Sequence, residues 1–291
     1  MTGTDQRLPE PVTAAGRAGL AALRAAPDAA LLATDFDGTL APIVADPAAA
    51  RALPGTAAVL WRLAAATAGV AVVTGRPARQ AARYAGLDPA PAPVPGRLVV
   101  LGQYGRERWD PVSGAAPAPD PGPGLHAARA ELPGLLAALR SAVTAGVHVE
   151  DKPAGLAVHL RRTGDPAAAL AVLGEPLRAL AARHGLVVEP GRLVLELRPP
   201  GTDKGQALDR LVAETGAGTA LFAGDDLGDL AAYDAVDRLR ARGGQGLTVC
   251  SGSAEAGAVA ARADLVLEGP AGVLAFLRAL AADLEARRAP D

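Results

Sequence analysis

Hydrophobic positions along the chain come in short unbroken runs separated by longer Ala/Leu/Arg stretches. The runs "AALLAT" (29–34), "VAVVT" (70–74), "LVVLG" (98–102), "TALFAG" (219–224), "LTVC" (247–250) and "ADLVLE" (263–268) predict strands. Most are apolar throughout, as strands covered on both faces are. Helices are expected between them, near 12–27, 55–68, 77–85, 204–215, 226–241, 254–262 and 271–287. Strand alternating with helix is the rhythm of a parallel α/β sheet.

Between residues 110 and 199 the rhythm changes. A Pro/Gly tract at 109–124 reads as too rich in breakers for a regular element, and the strands that follow alternate apolar with polar. "VHVEDK" puts His148, Glu150 and Lys152 on one face; "LAVHLR" puts His159 and Arg161 on one face, with Leu156, Val158 and Leu160 opposite. A helix near 166–184 leads to "LVVEPGRLVLELR", a second hairpin expected to turn at Pro190-Gly191, with Arg192, Glu196 and Arg198 on one face and Leu193, Leu195 and Leu197 on the other. The fold expected is a Rossmann-like parallel-sheet α/β core, residues 1–110 and 199–291, into which an α+β cap with an antiparallel sheet is inserted at 111–198. The segments 110–124 and 199–202 would be its hinges.

Composition narrows the function classes. The chain has 291 residues, 50% of them hydrophobic, enough to bury a large core. Lys and Arg number 29 against 31 Asp and Glu, so nothing draws the chain to nucleic acid or to an anionic membrane. The one cysteine, Cys250, rules out an internal disulfide and a Cys-based zinc cluster, and suits a reducing compartment. Neither a signal peptide nor a membrane span is expected, and the cytoplasm is the default location.

Four polar clusters fall at strand exits or helix starts, where ligands gather in open α/β sheets. In Asp35-Phe36-Asp37-Gly38-Thr39 the first carboxylate can attack phosphorus and the second can protonate a leaving oxygen, although the same residues can simply form an Asx turn. In "VVTGRP" the Thr74 hydroxyl and the amides at Gly75 and Arg76 could hold a phosphate, or the segment is an ordinary strand-to-helix turn. In "GTDKGQAL" Lys204 opens a helix capped by Thr202 or Asp203; it either neutralises an anion or is a solvated lysine. In "LFAGDDLGDL" Asp225, Asp226 and Asp229 crowd one loop, which a hard divalent cation would relieve and which a helix cap would also explain.

Taken together and in this order, the clusters resemble the four motifs of the haloacid dehalogenase superfamily of Mg²⁺-dependent phosphatases. That resemblance implies Asp35 as nucleophile and Asp37 as general acid/base. It further implies Mg²⁺ on Asp35, the Asp37 backbone carbonyl and Asp225, with Asp226 and Asp229 supporting, and the phosphoryl group held by Thr74 and Lys204.

The stretches "LGQYGRERW", "VEDKPAGLAVHLR", "GRLVLELRPPGTDKG" and "GDDLGDLAAYDAV" are similar to the trehalose-6-phosphate phosphatases over most of residues 31–236. By that likeness the insert is a mobile cap whose polar sheet face, with Glu150, Lys152, Arg161, Arg192 and Glu196, takes the sugar, and Gly75, Arg76, Tyr104 and Gly105 join the substrate site; His159 lies on the same face by strand parity. "GQYG" stands where many relatives have Gly-x-His-Gly, and Phe36 where many have Tyr. The activity implied is hydrolysis of trehalose 6-phosphate by a monomer whose partner is a small-molecule sugar phosphate. A phosphatase for another sugar phosphate and a non-catalytic sugar-phosphate sensor are the alternatives.

Overall fold

The computed structural model describes residues 8–94, 96–116, 122–152, 155–191, 193–200, 203–252 and 257–288. Its elements run α1 (Ala14–Ala25), β1 (Ala30–Thr34), α2 (Thr56–Ala66), β2 (Gly69–Val73), α3 (Ala78–Tyr84), β3 (Leu98–Gly102), β4 (Glu107–Asp110) and β5 (Gly114–Ala116). Then come α4 (Pro123–Ala138), β6 (His148–Lys152), β7 (Gly155–His159), α5 (Pro166–Arg183), β8 (Val187–Gly191) and β9 (Val194–Arg198). The remainder is α6 (Lys204–Thr215), β10 (Thr219–Gly224), α7 (Leu230–Ala241), β11 (Gln245–Gly252), α8 (Gly257–Ala260), β12 (Leu265–Glu268) and α9 (Gly269–Arg288). The chain divides into two units, one of residues 1–116 and 203–291 and one of residues 117–202.

The first unit is an α/β layer structure on an eight-stranded sheet in the order β12-β11-β10-β1-β2-β3-β4-β5. The strands β12 to β3 are parallel, and β4 and β5 extend the edge antiparallel. β1, β2, β3 and β10 are buried along their whole lengths, which is why they read as unbroken apolar runs. One core layer holds Leu32, Val72, Val100, Leu60 and Leu277; the other holds Leu31, Val73, Leu208, Phe222 and Tyr233. Chain order steps from β1 through β2 to β3 on one side, then returns to β10 on the other. The exits of β1 and β10 therefore flank the point where strand order reverses, the position at which such sheets bind ligands.

Two short strands correct the sequence reading of 109–124. Asp110 Oδ1 accepts from the amides of Val112 and Ser113 at 2.8 and 3.1 Å, so the breakers there form the turn between β4 and β5. The proposed hinge residues 117–121 and 201–202 lie outside the described residues.

The second unit packs α4 and α5 on one face of a four-stranded antiparallel sheet, order β6-β7-β9-β8. Leu156, Val158, Leu195 and Leu197 meet Leu125, Leu132, Leu173 and Leu177 in its core. The second hairpin does not turn at Pro190-Gly191: Pro190 pairs with Leu195 and Gly191 with Val194. β8 is an edge strand, where a missing N–H is tolerated. Leu193, at φ 56° and 40% exposed, belongs to the turn and not to the apolar face. No helix among the described residues is long and apolar enough to cross a membrane.

The N-terminal helix is tied in by a buried carboxylate. Gly19 lets α1 approach β11 closely, since a Cβ there would fall 1.7 Å from the Gly246 carbonyl oxygen. The α1 cap Thr13 donates to Asp264, which also accepts from the Thr248 amide at 2.8 Å, the Thr248 hydroxyl at 2.9 Å and Arg240 at 2.5 Å. Burial works against ionisation of Asp264, but these donors outweigh it and hold its carboxyl below the usual range. Stability from a depressed carboxyl is full above its unfolded value and is lost as pH falls through the folded one. Asp264→Asn is expected to lower the unfolding free energy at pH 7 by about 3 kcal/mol, with the difference from wild type shrinking below about pH 4. Urea titrations of both proteins across this range check it; equal stability at pH 7 would contradict it.

Candidate active site

The turn after β1 brings two carboxylates to one place. The Asp35 amide donates to the Ala223 carbonyl at 2.8 Å, so Asp35 continues the register of β1 beside the exit of β10. Phe36 is fully buried and anchors the segment, while its carbonyl accepts from the amides of Leu40 and Ala41, both at 2.9 Å. The chain reverses at Gly38, whose φ of 78° suits glycine; a Cβ there would lie 2.0 Å from Asp225 Oδ2. The turn thus packs directly on the β10 loop. Ser251, at the end of β11, donates to the Gly38 carbonyl at 2.6 Å. Sequence reading missed this serine, and its position at the carboxyl end of a predicted core strand was the available signal.

Lys204 is not the solvated lysine that its helix-start position allows. Asp203 caps α6 by accepting from the Gln206 amide at 2.7 Å, and Lys204 in the first turn is 4% exposed. Its Nζ lies 2.7 Å from Asp229 Oδ1 and 3.1 Å from Asp35 Oδ1. The other Asp229 oxygen accepts from the amides of Asp225 and Asp226 at 2.9 and 3.1 Å, fixing the loop that carries both. Asp226 caps the short helical turn at Leu227–Asp229 that precedes α7, which therefore starts later than the expected 226.

The electrostatics follow from burial. Asp35 is pushed well above the ordinary carboxylate range, first by burial and then by Asp229, Asp225 and Asp226, with Lys204 opposing. Burial likewise pushes Asp229 up to about 6 against the pull of Lys204. Burial alone would lower Lys204, but Asp229 and Asp35 outweigh it and hold the ammonium charged. Carboxylate oxygens of Asp35, Asp225 and Asp229 lie within 4.8 Å of one another. One ammonium among these acids leaves excess negative charge in a buried site. Hard oxygen donors with excess negative charge fit a divalent cation. Because Asp229 is occupied by Lys204 and two amides, Asp35 and Asp225 are the better carboxylate ligands.

The β2 exit supplies the next wall. Thr74 follows β2, is buried, and accepts from the Arg76 amide at 3.2 Å through its hydroxyl. Gln103 and Tyr104, both left-handed, are held over it: the Tyr104 amide donates to the Thr74 carbonyl at 3.0 Å and Gln103 Nε2 to the Gly75 carbonyl at 2.8 Å. Gly105 completes this turn. Arg76 makes a two-pronged ion pair with Asp37, Nε to Oδ2 and a terminal nitrogen to Oδ1, each 2.7 Å. Gln103 was not singled out from sequence, and neither was the pairing of Arg76 with Asp37.

In the second unit, strand register places His148, Glu150, Lys152, His159, Glu196 and Arg198 on the polar sheet face. Lys152 meets Glu196 at 3.1 Å and His159 meets Glu150 at 3.0 Å. Arg161 follows β7 by two residues and is half-buried, and Arg192 lies outside the described residues.

Residues 139–271 match the family model described as trehalose-phosphatase. The chain is 36% identical over 264 residues to a trehalose-phosphate phosphatase of Mycobacterium avium, a match taking in 86% of this chain and 62% of that protein. It therefore spans about three fifths of the length of the curated relatives it matches. The C-terminal domain of Candida albicans trehalose-6-phosphate phosphatase superposes with a TM-score of 0.74 at 21% identity, covering 95% of this chain and 99% of that one. A haloacid dehalogenase-like hydrolase of Bacteroides thetaiotaomicron superposes at 0.58 with 17% identity, covering 85% and 98%.

The charge arrangement has a measurable cost. A carboxyl raised in the folded state loses stability as pH climbs above its unfolded value, so at pH 7 the buried Asp35 carboxyl opposes folding. With chelator present, Asp35→Asn is expected to stabilise the protein by about 1 kcal/mol. Lys204→Met, which strands buried carboxylates, should cost about 3 kcal/mol or more. Thermal unfolding at pH 7 measures both; a lower melting temperature for Asp35→Asn would refute this electrostatic account.

Proposed function

We propose that this chain, which is similar to the trehalose-phosphate phosphatases and superposes on haloacid dehalogenase-like hydrolases, hydrolyses trehalose 6-phosphate to trehalose and phosphate in the cytoplasm. The observation that carries the proposal is the buried Lys204 ammonium between Asp35 and Asp229, beside Asp225, where strand order reverses. A solvated loop has no need of such a charge cluster, whereas phosphoryl transfer depends on one.

Asp35 is the nucleophile: its oxygen bonds to phosphorus as the bond from phosphorus to the sugar oxygen breaks. Asp37, two residues on, gives its proton to the departing oxygen. Water then attacks the aspartyl-phosphate, Asp37 takes the water's proton, and phosphate leaves as Asp35 is restored. Lys204 and the Thr74 hydroxyl hold the non-bridging phosphoryl oxygens. Asp35, Asp225 and the Asp37 carbonyl are the residues that would hold Mg²⁺, which when bound supplies positive charge against the phosphoryl oxygens.

The polar face of the second unit's sheet is the sugar-recognition surface. Paired acids and bases such as Lys152 with Glu196 offer acceptors and donors to hydroxyl groups. Glu196 is 4% exposed, which a merely solvated sheet face does not require.

Phosphate release from a panel of sugar phosphates, with Mg²⁺ and with chelator, is expected to favour trehalose 6-phosphate and to stop on chelation. Asp35→Asn should abolish turnover in a folded protein, and Glu150→Ala or Glu196→Ala should blur discrimination among the sugars. Tight binding without turnover would instead support a sensor, and turnover by Asp35→Asn would rule out the nucleophile.

A further inference from the structure

The Arg76–Asp37 pair shares its two-pronged geometry with Arg24–Asp283 and Arg62–Glu285, but its arginine is the most buried of the three. Both Asp37 oxygens are engaged by the guanidinium, in the two-pronged geometry that fixes a carboxylate's position and plane together. The arginine is the better-buried partner, its side chain 14% exposed against 33% for Asp37. Its guanidinium carbon lies 5.6 Å from the centre of the Phe36 ring and 5.3 Å from that of Tyr84, and Arg51 lies 4.0 Å over Tyr84 in turn. Its backbone is pinned at both ends, the amide to the Thr74 hydroxyl at 3.2 Å and the carbonyl to the Gln103 amide at 3.0 Å.

Asp37 itself stands on a glycine turn with a third of its side chain exposed, so its backbone alone leaves the carboxyl free to rotate. We propose that Arg76 is the positioning residue for Asp37, holding its carboxyl where the proton must be given and taken, and is not a contact to substrate. The inference rests on the reading of Asp37 as general acid/base. Phe36, between the two aspartates, and Tyr84, at the end of α3, hold the guanidinium over the β1 turn. A partly exposed ion pair adds little to stability, so its value lies in orientation.

The test uses the full chain with Mg²⁺, as wild type, Arg76→Ala and Arg76→Lys. Two substrates are compared: the best sugar phosphate of the panel, whose alcohol must leave with a proton, and p-nitrophenyl phosphate, whose phenolate leaves without one. On the sugar phosphate, Arg76→Ala is expected to lower kcat about 100-fold with KM within about threefold, the loss typical of a misplaced catalytic group. In a single turnover, p-nitrophenolate release should fall less than about tenfold, because proton donation contributes little there. Arg76→Lys should fail to rescue, since an ammonium keeps the charge but not the fork, and both variants should melt close to wild type.

A rise in KM at unchanged kcat would make Arg76 a substrate contact and overturn the inference. Equal losses on both substrates, or rescue by lysine, would overturn it as well. If wild-type protein releases phosphate from neither substrate, the phosphatase reading falls and this inference with it; an active wild type with unimpaired Arg76 variants contradicts this inference alone.

Discussion

The ammonium of Lys204, buried against Asp229 and Asp35, is the interaction on which the site depends. Without it, Asp35 and Asp229 would share a low-dielectric interior with the charges of Asp225 and Asp226, and burial would drive protons onto both. With it, Asp229 is committed to organising the lysine and the Asp225–Asp226 loop. The arrangement is costly to folding, as sites built for charge stabilisation tend to be.

Strand order makes that interaction possible. Asp35 and Lys204 are far apart in sequence, and they meet because β1 pairs with β10 while α6 leads into β10. The same topology seats Ser251 under the Gly38 carbonyl and brings the β2 exit, with Thr74 and Arg76, to the other side of the β1 turn. The sheet supplies position, and the loops at its carboxyl end carry the charged groups that it brings together.

Much of this was legible in the residues, for physical reasons that also mark the failures. β1, β3 and β10 announce themselves because both their faces are buried, so no polar position interrupts them. The polar face of the second unit followed from strand parity, which the register at Glu150, Ala157 and Glu196 bears out. Pro190-Gly191 misled because that dipeptide favours turns, yet an edge strand accommodates a proline and the reversal falls at Leu193. β4 and β5 went unseen because the breakers between them are their own turn. The Arg76–Asp37 pair could not be read at all: it spans 39 positions and exists only because β1 and β2 are neighbours.

The central claim is that phosphate passes through a covalent bond to Asp35. The direct measurement is an acid-quenched single turnover with a sugar phosphate and Mg²⁺, followed by peptide mass spectrometry. The account predicts one phosphoryl group, transient in time, on the peptide containing Asp35. Turnover at full rate with that peptide never phosphorylated, or with the phosphoryl group on another residue, would contradict it.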